Sequence, residues 1–312
     1  MKKVLKINFS DFWGDLNKQD NLFINLLKPY YEVVISEDPD VLFYSCYSFE
    51  HLKYNCFKIF YTAENVRPNF MECDFAISFD FDSYKNRNLR LPLFRWSPSL
   101  ECLYLEQDVL SIIESKRKFC CMVVSNGGCK MRNKFFEQLN EYKKVDSGGK
   151  FLNNIGYQVP DKREFIKDYK FVLSFENSSY PGYTTEKIYQ PMQVNCLPVF
   201  WGNPEIQKDF NTKSFINVHD YPSFRAVIEE IIRIDSDDEL YRQYLEEPFF
   251  VNNKMPPELE LKFIADKIFN AIESFQHKVS VSKNYINTSY GVVNKYKKKI
   301  ISRLYKKQHW YC

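Results

Sequence analysis

Glycine is scarce, with nine in 312 residues, and none of them falls in a Walker or dinucleotide-binding pattern. No phosphate-cradling glycine loop of either kind is therefore encoded. The nine cysteines (46, 56, 73, 102, 120, 121, 129, 196 and 312) include no C-x-x-C pair. Scattered through apolar runs such as KFCCMVV, they read as buried reduced thiols of a cytosolic chain without structural zinc. The four histidines (51, 219, 277, 309) have no partner at metal-ligand spacing. No stretch approaches the roughly 18 consecutive apolar residues of a membrane span. The start, MKKVLKINFSDFWGD, has too short an apolar run for a signal peptide and no small-residue cleavage site. Acidic residues disappear after Glu273, and the remainder carries nine cations. Removing those nine charges from a net of +3 leaves residues 1–273 at −6, so the body is mildly acidic and only the tail is basic.

What is present fits a soluble globular chain: 45% hydrophobic and 27% charged residues exclude a disordered or fibrous protein. At about 100–200 residues per domain, the length predicts two domains. Aromatics are abundant, at 17%; most are expected in the core, although their flat faces also suit sugars and bases. The first third alternates short apolar runs (KVLKINF, YYEVVIS, DVLFYSC, FKIFYTAEN, CDFAISFD) with polar or turn-rich segments, and LNKQDNLFINLLKPY reads as a helix between the first two. Runs of this length read as buried strands of a mostly parallel sheet. LRLPLFRW adds an extended segment, and ECLYLEQDVLSIIESKRK a helix leading out of the domain.

A second strand–helix series restarts at KFCCMVVSN. It continues through the helix GGCKMRNKFFEQLNEYK, a loop with Gly148 and Gly149, the helix DKREFIKDY and the strand KFVLSFEN. The helix TTEKIYQPMQVN, the strand LPVFWG and three further helices, the last after Met255-Pro256-Pro257, complete it. The expected division is 1–115, 116–275 and a basic tail, 276–312. In such doubly wound α/β sheets ligands lie beyond the carboxyl ends of strands, where VVSN, SFENSS and FWGN fall.

The segment KFVLSFENSSYPGYTTEKIYQPMQVNCLPVFWGNPEI resembles the signature of the α-1,3/1,4-fucosyltransferases, in which a strand ends in F-E-N-S and T-E-K opens a helix. FYTAENVRPNFMECDFAISFD, at 60–80, resembles the family's T-x-E-N segment, and VVSNGGCKMRNKFF, at 123–136, its V-S-N…R segment. The resemblance implies an inverting, GDP-fucose-dependent enzyme of bacterial type. It further implies two Rossmann-like doubly wound lobes facing a cleft, the GT-B arrangement: an acceptor lobe (1–115) and a donor lobe (116–275). The animal members' amino-terminal anchor and stem are not found in this sequence, so a soluble or peripheral enzyme is expected.

By that resemblance Arg132, Asn177, Tyr183, Glu186 and Lys187 bind the donor, with Ser125, Asn126, Glu176 and Ser178 as further donor-site candidates. The chemistry agrees. A departing GDP anion needs fixed cations, and Lys187 lies in the first turn of a helix, where backbone N–H groups favour phosphate. Arg132 can offer a planar fork. Glu186 suits hydroxyls of ribose or fucose, and Tyr183 a phosphate or a stacking face. The residues alone also permit solvated cations for Lys187 and Arg132, a dipole-complementing carboxylate for Glu186, loop packing for Tyr183, and capping or turn roles for Glu176, Asn177 and Ser178. Glu64 is the general base the resemblance implies; on residue type alone it ranks no higher than Glu72, Asp80 or Asp82.

Two D-x-D pairs, Asp38/Asp40 and Asp80/Asp82, look like metal ligands, but the pattern is short and turn carboxylates are routine. No metal or cofactor is expected to be required. The acceptor is expected to be a hydroxyl of N-acetylglucosamine or glucose in a lactosamine-type oligosaccharide, with α-1,3 favoured over α-1,4. A transferase of another nucleotide sugar, or a glycan-binding protein without catalysis, remain as other readings. Residues 292–312 carry seven cations and no acid, interleaved with Val293, Tyr296, Ile300, Leu304 and Trp310. As a basic amphipathic helix this tail suits an anionic membrane surface, giving a cytoplasmic protein held peripherally on the membrane. Nucleic acid is not an expected partner.

Overall fold

The computed structural model describes residues 2–96, 100, 103 and 108–275; the tail reading falls outside them. The described residues divide into two compact units, 2–92 with 257–275, and 93–256. In the first, β1 (Lys3–Ser10), α1 (Leu22–Leu27), β2 (Tyr31–Ile35), β3 (Val41–Tyr44), β4 (Phe57–Tyr61), β5 (Phe75–Ser78) and β6 (Asn88–Arg90) follow in order. The strands form one sheet, β2-β1-β3-β4-β5-β6, parallel throughout. Strands β3, β4 and β5 are buried at every residue, as apolar runs covered on both faces must be. Phenylalanine fills the core: Phe23 stacks on Phe43 at 4.7 Å, and Phe9 on Phe43 at 5.5 Å. Asn21 starts α1, its side chain accepting from the Ile24 N–H at 3.2 Å.

The second unit runs α2 (Val109–Ser115), β7 (Lys118–Met122), α3 (Lys130–Tyr142), β8 (Val145–Ser147), α4 (Lys162–Ile166), β9 (Tyr169–Phe175), α5 (Glu186–Met192), β10 (Leu197–Trp201), β11 (Ile216–Asn217), α6 (Phe224–Asp235) and α7 (Asp238–Glu246). Its sheet, β11-β10-β9-β7-β8, is also parallel. Asp161, Ser223 and Asp237 accept backbone N–H groups at the starts of α4, α6 and α7. Each sheet begins in the same doubly wound order: its first strand lies between its second and third. Connections therefore leave in opposite directions from the carboxyl ends of that first strand and its neighbour, which opens a crevice for loops there.

Helix α8 (Leu261–Phe275) corrects the expected boundaries. It belongs to the first unit: Phe269 stacks on Tyr30 at 4.6 Å, the Tyr31 hydroxyl donates to Glu273 at 2.6 Å, and Lys3 pairs with Glu273 at 3.2 Å. The first boundary likewise falls at Pro92 and not at 115. LRLPLFRW is strand only at its start; after Pro92, which has no N–H to give a ladder, Leu93–Trp96 forms a 3₁₀ turn. The expected helix before β7 is realised in α2, most of its first half lying outside the described residues. Strands β8 and β11, of three and two residues, are too short to show a period in sequence. The seven described cysteines are free thiols. No helix among the described residues is long and apolar enough to cross a membrane.

Candidate active site

The second unit gathers the predicted donor residues at the carboxyl ends of β7, β9 and β10. Glu176 follows β9 and is fully buried. Oε1 accepts from the Thr185 N–H at 2.7 Å and from the Thr185 hydroxyl at 2.7 Å, and Oε2 lies 3.0 Å from Lys187 Nζ. Lys187 Nζ also donates to Thr185 Oγ1 at 2.9 Å and Glu186 Oε1 at 3.3 Å. Glu176 therefore organises the start of α5 from beneath, and is not itself open to a ligand. Gly202 makes room for it, because a Cβ there would stand 2.5 Å from Glu176 Cγ.

Burial opposes charge on all three of these groups, and their mutual attraction decides the outcome. Burial works against the Lys187 cation, yet Glu176 and Glu186 together raise its pKa. Glu186 is likewise disfavoured by burial, but Lys187 and then Lys162 hold it down at about 2. For Glu176 burial prevails and its pKa is raised, with Lys187 opposing. The result is a cation locked in place with Glu186 ionised beside it.

Arg132, expected to offer a planar fork to phosphate oxygens, has its guanidinium among the loops after β7 and β9. It is 1% exposed. Its Nη1 donates to Phe175 O at 3.4 Å and Asn177 Oδ1 at 3.2 Å, and its Nη2 to Asn126 O, while Nε–H has no partner. The guanidinium thus pins the loop after β7 to the loop after β9, where the sheet order opens its crevice. Burial pushes its pKa down, with Cys129 and Glu176 opposing. Asn126 also turns its own loop, accepting from the Gly128 N–H at 2.7 Å. Ser125 is exposed at the same loop, and Ser178 half-buried beyond Asn177. Tyr183, expected to face a ligand, is buried at 2% exposure; the more open ring of that loop is Tyr180.

Two residues were missed in sequence. Asn203, completely buried, accepts from the Gly182 N–H at 2.8 Å and the Glu205 N–H at 2.9 Å and donates to the Thr184 hydroxyl at 3.1 Å. It holds the whole 182–185 approach to Lys187, and the polar end of FWGN was its signal. Lys162, on α4, donates to Gln190 of α5 at 2.7 Å and adds a second positive charge near Glu186. Nothing in its local sequence separates it from any surface lysine.

In the first unit, Glu64 follows β4, half-buried. Thr62 fixes its backbone, with Oγ1 accepting from the Glu64 N–H at 3.1 Å and donating to Glu64 O at 2.8 Å. The Tyr47 hydroxyl donates to Glu64 Oε1 at 3.1 Å. The carboxylates that rivalled it in sequence are otherwise engaged. Asp80 is paired with Arg67 and takes the Tyr84 hydroxyl at 3.1 Å, Asp82 takes the Tyr84 N–H at 2.7 Å, and Glu72 lies 3.4 Å from His51 Nε2. Asp40 accepts from the Lys6 N–H at 3.1 Å, and exposed Asp38 begins no cluster. Among the described residues no group of three or more His, Cys, Asp or Glu is placed to hold a metal ion.

Comparison with known proteins separates the two sheets but takes α8 with the second. A sequence model of the α-(1,3)-fucosyltransferase FucT N-terminal domain matches residues 7–96, and one of the glycosyltransferase family 10 (fucosyltransferase) C-terminal region matches residues 113–286. The α-(1,3)-fucosyltransferase FucT of Helicobacter pylori is 32% identical over 285 residues, which cover 78% of this chain and 60% of that protein. Human GDP-fucose protein O-fucosyltransferase 3 is 34% identical over 126 residues, 37% of this chain and 26% of that one. The chain thus spans less than two thirds of the length of each of these relatives. A crystal structure of an α1,3-fucosyltransferase with GDP-fucose aligns with a TM-score of 0.77 at 29% identity, over 90% of this chain and 93% of that one. The two family models meet the chain in order, one on each parallel sheet, and the chain belongs to glycosyltransferase family 10, the fucosyltransferases.

Proposed function

We propose that the chain transfers L-fucose from GDP-β-L-fucose, with inversion, to a hydroxyl of N-acetylglucosamine or glucose in a lactosamine-type glycan, forming an α-1,3 linkage. The observation that carries this reading is Lys187, a cation held by Glu176, Thr185 and Glu186 within the family's T-E-K segment. Glu64 takes the proton of the acceptor hydroxyl as its oxygen bonds to the anomeric carbon of fucose. The bond from that carbon to the diphosphate oxygen breaks, and its electron pair leaves with GDP. Lys187 meets the charge that grows there. Glu186 receives sugar hydroxyls, while Arg132 and Asn203 act by setting the loops that carry Asn177 and Lys187. Incubation with GDP-fucose and a lactosamine array, followed by linkage analysis, tests the assignment; transfer from UDP-sugars in preference to GDP-fucose would overturn it.

Catalysis on this reading requires no metal. Substantial activity should survive a chelator, and a complete loss restored by manganese would return the D-x-D pairs to consideration. The basic tail is proposed to hold the enzyme at an anionic membrane surface in the cytoplasm, each cation contributing about 1 kcal/mol near that surface. Deleting residues 292–312 should abolish co-sedimentation with phosphatidylserine-containing vesicles at low salt and spare turnover on a soluble acceptor. Full-length protein that stays in the supernatant would reject the tether.

A further inference from the structure

A general base must present one carboxylate oxygen to the acceptor hydroxyl, at about 2.6–3.2 Å, in a fixed direction. The Thr62 turn fixes the main chain of Glu64 but leaves its side-chain torsions free. The Tyr47 hydroxyl fixes them, donating to Oε1 at 3.1 Å and leaving Oε2 for the proton.

Tyr47 is itself held with unusual thoroughness for a residue in a loop. Its N–H donates to Asp11 O at 3.0 Å. The Asp11 carboxylate accepts the Ser48 hydroxyl, the Glu50 N–H at 2.9 Å, the His51 N–H at 2.9 Å and His51 Nδ1. Asp11 adopts a left-handed backbone (φ 61), a conformation that Asp tolerates better than most non-glycine residues. His51 is buried, stacked on Tyr44 at 4.0 Å, with Glu72 beyond its other nitrogen. The Tyr47 ring meets the edge of Trp13 at 6.4 Å, and Trp13 in turn meets Tyr61. All of this sits at the carboxyl ends of β1 and β3, the first sheet's own crevice position. An Asp11 bound to Tyr47, Ser48, Glu50 and His51 of one loop is more than a surface turn requires, and the polar group this delivers is the Tyr47 hydroxyl.

We propose that Tyr47 is a positioning residue for the transfer reaction: set by Asp11 and His51, it holds the Glu64 carboxylate in the orientation that receives the acceptor proton. This rests on the reading of Glu64 as the base.

The test is a double-mutant cycle in the full chain with GDP-fucose and a soluble lactosamine acceptor. Tyr47→Phe keeps the ring and removes the hydroxyl; kcat should fall about tenfold, the order expected for one hydrogen bond to a charged group, with the GDP-fucose KM and the melting temperature unchanged. In a Glu64→Gln background the same substitution should cost nothing further, since residues acting as one unit are not additive. If Glu64→Gln is slow but Tyr47→Phe turns over like wild type, or the two losses multiply, Tyr47 does not act through Glu64 and the proposal fails alone. If Tyr47→Phe is normal and only Tyr47→Leu is impaired, the ring and not the hydroxyl matters, and the proposal again fails. Wild-type turnover in Glu64→Gln would instead remove the base assignment, and Tyr47 with it.

Discussion

Glu64→Gln should lower turnover by at least about 10²-fold while the GDP-fucose KM stays near its wild-type value, the scale on which loss of a general base is felt. Glutamine keeps the shape of the side chain and can still accept the Tyr47 hydroxyl, so the substitution removes little but the basicity. Glu64 makes no bond that the fold depends on through its carboxylate, whereas Asp80 is tied to Arg67 and Glu72 lies buried beside His51. Asp80→Asn and Glu72→Gln should accordingly show their effect in the melting temperature. Initial rates on a soluble acceptor, with GDP binding by calorimetry, check both expectations. Near-normal turnover in folded Glu64→Gln protein would reject Glu64 as base.

Lys187→Met should fail twice over. The donor site loses the cation that meets the departing diphosphate, so GDP affinity and turnover fall together. Glu176, fully buried, loses its ion partner at 3.0 Å, and a buried charge left without compensation costs about 3–5 kcal/mol. The two effects separate in a second variant. With Glu176→Gln added, the buried group is neutral and still bonds Thr185, so the melting temperature should recover much of the loss while turnover stays low. Recovery of activity along with stability would mean that Lys187 serves the fold alone. Arg132→Ala makes the contrast: its bonds to Phe175 O, Asn177 and Asn126 O are structural, and it should unfold several degrees earlier. An unchanged melting temperature with weakened GDP binding would restore Arg132 to direct contact with the phosphates.

The sequence by itself determined the two parallel sheets and the residues at their carboxyl ends, because those depend on local pattern. Apolar runs of four to eight residues make buried strands, and the polar residues that end them, SFENSS and FWGN, fall at the loops beyond. Helix starts at Asn21, Asp161 and Ser223 are local for the same reason, since a cap bonds an N–H two or three residues away. The motifs also singled out Lys187 and Glu186 among many charged residues. Which face each side chain turns inward was decided elsewhere. Burial is a sum over neighbours brought in from distant parts of the chain, so Glu176 and Tyr183, expected at a ligand, lie under α5 and its approach. Arg132 became a loop clamp only because β7 and β9 are adjacent in the sheet. Helix α8 follows the second unit in sequence yet completes the first, through Tyr30 and Tyr31 more than 200 residues earlier. Strands β8 and β11 exist because a neighbouring edge was there to pair with. The Tyr47 bond to Glu64 spans 17 residues and joins the loops after two neighbouring strands, β3 and β4, and no spacing rule announces it.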